Sequence, residues 1–164
     1  METQHLTRAR LLDVLDYDQE AGVFRWKVSR GTRKAGALAG NRHDDGYSYI
    51  KLDRVIYRAT RLVWLWLYGR WPREHIDHKD GNTSNDRIAN LREASRSQNL
   101  ANAKLKKNSV TGFKGVTVRG NKFRVSVTKN GKRFHLGHFP SAIEAHDAYV
   151  AKARELFGEF ARPK

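Results

Sequence analysis

Asp77 and His78 are neighbours in the segment "EHIDHKDGNTSNDRIANLREASRSQNLANA" (residues 74–103), which also carries Asn90 and Asn99. These residue types suit phosphodiester hydrolysis. A carboxylate and a carboxamide supply the hard oxygen donors that a divalent cation takes, and such an ion neutralises charge on the reacting phosphate and the departing oxygen. A neutral imidazole, with an ordinary pKa of about 6.5, can remove a proton from water at neutral pH. Adjacent side chains on an extended segment point to opposite sides. One of the pair could therefore hold a metal while the other faces the attacking water across the phosphate. The run "KDGNTSND" reads as a hydrophilic loop and "RIANL" as a second short strand. Ser95 then caps a helix that would carry Asn99 back toward Asp77.

Other chemistries fit this stretch less well. A lone Asp-His pair is most often a surface turn, and Asn90 and Asn99 are what argue against that here. As a calcium loop, "DHKDGN" puts Gly81 at the fifth position and Ile88, not Glu, at the twelfth. His75 and His78 lack a further Cys or His partner for zinc. "GVTVRGNK" misses the Gly-Lys-Ser/Thr ending of a phosphate-binding loop.

The order Asp-His, loop, Asn-Leu, helix with Asn resembles the HNH homing endonucleases of phages, with their ββα-metal fold. The upstream "GYSYIKLDRVIYRATRLVWLWLYGRWP" resembles the region that precedes the motif in that family, so the likeness spans roughly residues 6–103. It implies that His78 is the general base, that Asp77 and Asn99 are metal ligands, and that Asn90 braces the hairpin and orients His78. The closing Asn matches the H-N-N subgroup and one divalent ion, Mg²⁺ or alternatively Mn²⁺. Relatives usually carry His-Arg-Leu where this chain has Thr60-Arg61-Leu62; Arg61 is a candidate phosphate contact.

Several elements must position these groups. Thr7 caps a short helix through Leu15, and "AGVFRWKV" reads as a strand. Residues 31–46 form a Gly-rich polar loop. Two alternating strands, Tyr47 to Leu52 and Val55 to Ala59, meet at a tight Asp53-Arg54 connection. A helix from Arg61 to Tyr68 then stops at Gly69. A basic linker is expected over residues 104–112. Beyond it "FKGVTV", "KFRVSVTK" and "KRFHLGHF", separated by turn signals, read as a three-stranded antiparallel meander. Ser141-x-x-Glu144 is a capping box for a helix through about Phe157, with Ala142, Ala145, Ala148 and Ala151 as its small-residue side.

Residues 94–143 contain no Asp or Glu against eleven Lys and Arg. Strand alternation turns Phe123, Val125 and Val127 toward the helix and Lys122, Arg124, Ser126 and Thr128 outward. Such a cationic sheet face can enter a major groove and reach base edges or phosphates. The run from Gly112 to Ala161 resembles the Apetala-type, ethylene-response-factor DNA-binding domain. Its matching features are Lys114-Gly115-Val116, Arg133 with Leu136-Gly137 and Phe139, and "AIEAHDAY". The resemblance implies that the sheet docks in the major groove. Thr117 and His135 stand where plant members carry Arg and Trp, so their sequence preference does not transfer. The expected DNA contacts are Lys114, Arg119, Lys122, Arg124, Arg133 and His135.

Composition agrees with a polyanionic partner: 164 residues carry 32 Lys and Arg, 17 Asp and Glu, and a formal net charge of +15. Hydrophobic residues at 39% allow folded cores, and the lack of cysteine excludes disulfides and thiolate chemistry. The run "LVWLWLYG" is too short to span a bilayer, so a cytoplasmic protein without membrane attachment is expected, in the host cytoplasm if phage-encoded. The sequence thus predicts an α+β chain: an HNH module over 1–103 with its ββα-metal core at about 74–103, a linker over 104–112, and an Apetala-type domain over 113–164. The predicted function is a site-specific, homing-type endonuclease that nicks double-stranded DNA as a monomer or weak dimer. The alternatives are a DNA-binding regulator with a degenerate nuclease module, and RNA binding.

Overall fold

The computed structural model describes residues 6–105 and 108–163, and it divides the chain into two compact units, Met1–Glu93 and Ala94–Lys164. Lys106 and Lys107 of the expected linker lie outside the described residues.

In the first unit, Thr7 Oγ1 accepts from the Arg10 amide and opens α1, Arg8–Val14. Two short strands follow, β1 (Leu15–Asp18) and β2 (Val23–Trp26), paired antiparallel from Leu15↔Trp26 to Asp18↔Val23. Alternation buries Leu15, Tyr17, Phe24 and Trp26. The Asp-rich text of β1 conceals this strand, because only its Leu and Tyr face inward. A small sheet in the order β3–β4–β5 comprises Asn41–Arg42, Ser48–Leu52 and Val55–Arg58. Asp53 and Arg54 both take positive φ, 46° and 70°, which gives the two-residue turn a twist matching its flanking strands. The left-handed Asp53 is held by Arg10 through two bonds of 3.0 and 2.9 Å.

Helix α2 runs Ala59–Tyr68 and ends on Gly69 at φ 69°, a left-handed cap that costs glycine little. Its Leu62, Val63 and Leu65 join Leu11, Leu15, Phe24 and Ile50 in one core. The two-stranded sheet of β6 (His75–His78) and β7 (Leu91–Ala94) completes the unit. "RIANL" is only partly strand: Ile88–Asn90 is a 3₁₀ turn, and pairing starts at Leu91.

In the second unit, Ser95 caps α3 (Arg96–Asn102) with a full capping box to Gln98. The division by contacts counts α3 here, where Ala101 packs with Val116, Val125 and Val127, although the sequence grouped this helix with the first module. Strands β8 (Val116–Arg119), β9 (Lys122–Lys129) and β10 (Lys132–Phe139) form the expected antiparallel meander. The register slips between His135 and Gly137, which marks a bulge. Ser141 caps α4, Ala142–Phe157. Its buried stripe is Ala145, Tyr149, Ala153 and Phe157 at strict four-residue spacing, not the alanine set read from sequence; Ala151 is exposed. Two aromatic residues in that stripe bury far more apolar area than alanines would, and so decide which face turns inward.

Lys114 departs from its expected place on the DNA face. Its Nζ donates to the carbonyls of Ala101, Ala103 and Arg162, at 2.6, 2.6 and 3.3 Å. Burial, helped by the nearby Arg162 charge, lowers its pKa to about 8. Lys114 therefore ties the end of α3 to the C-terminal segment. Lys114→Met should destabilise the second unit by about 2 kcal/mol, because several acceptors lose one shared donor. Chemical denaturation of the variant measures this, and its duplex affinity at low denaturant should match the parent's.

Candidate active site and nucleic-acid face

Strand β6 carries both candidate groups, Asp77 and His78, in sequence. Ile76, Asp77 and His78 are all buried, Asp77 and His78 at 4% and 3% exposure. The partners of the two polar side chains differ, as opposite orientation requires. Asp77 Oδ2 accepts from Arg92 Nε on β7 at 2.9 Å. His78 Nε2 lies 2.7 Å from Asp86 Oδ1, and the Tyr47 ring stands 5.8 Å from the imidazole. Strand β7 is anchored in turn through Glu93, which receives two bonds from Arg70 (3.0 and 2.7 Å) and one from the Arg73 amide (2.7 Å). The Arg70 guanidinium, chiefly, draws the Glu93 pKa down to about 2.

The loop between β6 and β7 is built from short polar residues that bond to nearby backbone. Asp80 accepts from the Asn82 amide, and Asn82 from the Ser84 amide. Asn90 closes the loop: its Oδ1 accepts from the Asp80 amide at 3.0 Å, and its Nδ2 donates to Asp80 Oδ1 and the Asn85 carbonyl at 2.9 and 2.8 Å. Partial burial opposes the Asp80 charge, but donors from Asn85, Asn82 and Asn90 outweigh it and hold the pKa below the usual carboxylate range. Asn90 thus has bracing partners of the kind expected; its side-chain bonds reach the loop and not the imidazole.

Arg61 donates to the Glu74 carbonyl at 3.5 Å, with its guanidinium 5.7 Å from the Trp71 ring centre. Thr60 is buried within α2. Asn99 lies half-buried on α3, in the other compact unit from Asp77 and His78. Sequence reasoning passed over Asp86, Arg92 and Tyr47. Only the fold marks them, since an acid closing "NTSND" reads as a solvated loop residue.

Among the described residues no three His, Asp or Glu side chains converge. The Asp77 carboxylate and the Asn99 amide are hard oxygen donors.

In the second unit, cross-strand pairing sorts the sheet into two faces. Val116↔Val125 and Phe134↔Val127 point to the α4 side. Thr117↔Arg124↔His138, Arg119↔Lys122, Arg133↔Thr128 and His135↔Ser126 share the opposite face, which carries no acid. Arg124 is at its centre, on the middle strand, and its buried Nε has no hydrogen-bond partner. A guanidinium in that state is a ready donor to an incoming oxygen or nitrogen acceptor. No helix among the described residues is long and apolar enough to cross a membrane.

A family model described as HNH endonuclease matches residues 57–101. A protein of Acanthamoeba polyphaga mimivirus named as an uncharacterized HNH endonuclease is 35% identical over 116 residues, 70% of this chain and 57% of its own length. Protein 3.8 of Escherichia phage T7 is 36% identical over 118 residues, 68% of this chain and 97% of its own. No solved structure matches the chain.

Proposed function

From this chain's membership of the HNH endonuclease family, we propose that it is a site-specific DNA endonuclease of the homing type that nicks one strand of a duplex. The observation that carries the reading is the pairing of Asp77 and His78 on one buried strand with separate partners, under a loop that Asn90 closes. His78 takes the proton from the attacking water. Asp77 and Asn99 would hold one divalent ion, Mg²⁺ or Mn²⁺. When bound, that ion supplies the positive charge that stabilises the departing 3′-oxygen. Arg61 contacts phosphate, and Arg92, donating to Asp77 at 2.9 Å, holds that carboxylate in place. Attack in line leaves a 5′-phosphate and a 3′-hydroxyl.

The second unit acts as an Apetala-type reader whose acid-free sheet face grips neighbouring duplex through Arg119, Lys122, Arg124, Arg133 and His135. Tethering raises the local concentration of the cutting module near bound DNA. The protein works as a monomer or weak dimer in the cytoplasm, that of the host if it is phage-encoded. One observation favours a second reading, a DNA-binding regulator with a decayed nuclease: Thr60, where relatives usually carry His. A supercoiled-plasmid assay separates the two. Open-circular product should form with Mg²⁺ and disappear with chelator; duplex binding without product at any divalent ion tested would establish the regulator.

A further inference from the structure

The β1–β2 hairpin lies upstream of the stretch that the family model matches, yet it grips the loop residue that holds the base. Tyr17 Oη donates to the Asp86 carbonyl at 2.6 Å. Arg87 Nε donates to the Glu20 carbonyl in the hairpin turn. Gly22, at φ 72°, lets the turn press against the 86–87 peptide; a Cβ there would lie 2.6 Å from the Arg87 nitrogen and 3.0 Å from the Asp86 carbonyl carbon. Three separate contacts from one hairpin thus fix the backbone at Asp86. Burial of both partners confirms their closeness: Asp86 is 4% exposed and His78 3%. A carboxylate placed so deep is costly unless it is hydrogen-bonded, and His78 Nε2 lies 2.7 Å from it.

We infer that Asp86, held by the β1–β2 hairpin, is the positioning residue that orients the His78 imidazole, and that the hairpin is part of the catalytic apparatus. By accepting the Nε2 hydrogen at 2.7 Å, the carboxylate fixes the orientation of the ring. Asn90 does not fill this role, because its amide bonds go to Asp80 and Asn85. The Tyr17 hydroxyl reflects the same environment: burial first, and the Asp86 charge second, push its pKa up to about 12.

The inference rests on the nuclease reading, and the experiment separates the two. Single-turnover nicking at saturating Mg²⁺ is measured for the full chain and for Asp86→Ala, Asp86→Asn, Tyr17→Phe and His78→Ala, alongside duplex affinity. The hydrogen-bonded Nε2–H proton of His78 is followed by nitrogen-edited NMR and assigned by its absence in His78→Ala. Asp86→Ala should cut about 10²-fold more slowly with affinity within about twofold, and should lose that resonance. Asp86→Asn keeps an acceptor but not the charge, and should recover about tenfold of the loss. Tyr17→Phe should slow cutting by about threefold to tenfold and shift the resonance. If Asp86→Ala cuts at the parental rate while His78→Ala is inert, the inference is overturned and the nuclease reading stands. If both cut like the parent, the base assignment fails and takes the inference with it. Should Asp86→Ala not fold, the isosteric Asp86→Asn decides: a parental rate with an unmoved resonance overturns the role.

Discussion

Replacing His78 with alanine should lower the single-turnover nicking rate by at least about 10³-fold while duplex affinity changes by less than about twofold. The size follows from what is lost. Water at neutral pH is a poor nucleophile, and the other imidazole of β6, His75, is exposed at the far end of the strand. Affinity should hold because the cations proposed to grip DNA belong to another sheet and because His78 is too buried to supply much contact area. The substitution has a structural cost as well. It leaves the buried Asp86 carboxylate without its imidazole donor, and losing the partner of a buried polar group costs about 1–3 kcal/mol. His78→Gln removes that ambiguity, because its amide can still donate toward Asp86 but cannot accept a proton. Glutamine should match alanine in lost rate and retain more stability in thermal unfolding. A glutamine variant that cuts like the parent would remove His78 from the chemistry.

The parts of this site that could be read from sequence are those set by neighbours along the chain. Strand alternation places Asp77 and His78 on opposite sides whatever surrounds them. The caps at Thr7, Ser95 and Ser141 depend on three or four residues and appear as expected. The outward face of β9 follows from the same alternation, with Lys122, Arg124, Ser126 and Thr128 on it. What was hidden depends on tertiary partners. Asp86 owes its role to a hairpin 69 residues upstream, and nothing in "SNDRI" distinguishes it from a solvated acid. Lys114 precedes β8, at a bend through Gly115, so strand alternation does not govern it and the carbonyls of Ala101 and Ala103 capture it. The burial stripe on α4 obeyed side-chain area: Tyr149 and Phe157 outweigh a row of alanines.

Removing Arg119, Arg124 and Arg133 together, each as Ala, should weaken duplex binding by about 10²–10³-fold at physiological salt and flatten its salt dependence. Each cation that neutralises a phosphate releases a counterion, so the logarithmic slope should become shallower by about 0.9 per residue, roughly 3 for the triple variant. The three belong to three different strands but share one face, so they test the face and not a strand. Arg124 should dominate among single variants: it occupies the middle strand between Thr117 and His138, and its unpartnered Nε gains a bond on binding without losing one. If Arg124 reads a base edge, its loss should also relax sequence preference, by about 1–3 kcal/mol at one position, whereas a phosphate contact weakens all sequences alike. Competition with single-stranded and hairpin RNA divides the partner classes, since a groove-docking sheet should prefer duplex DNA to both. Cutting tests the link between the units. If this face only raises the local concentration of the cutting module, the triple variant should recover the parental plateau rate at saturating protein; a lower plateau would mean that the sheet also shapes the chemical step. A salt response as steep as the parent's would show that other cations hold the duplex.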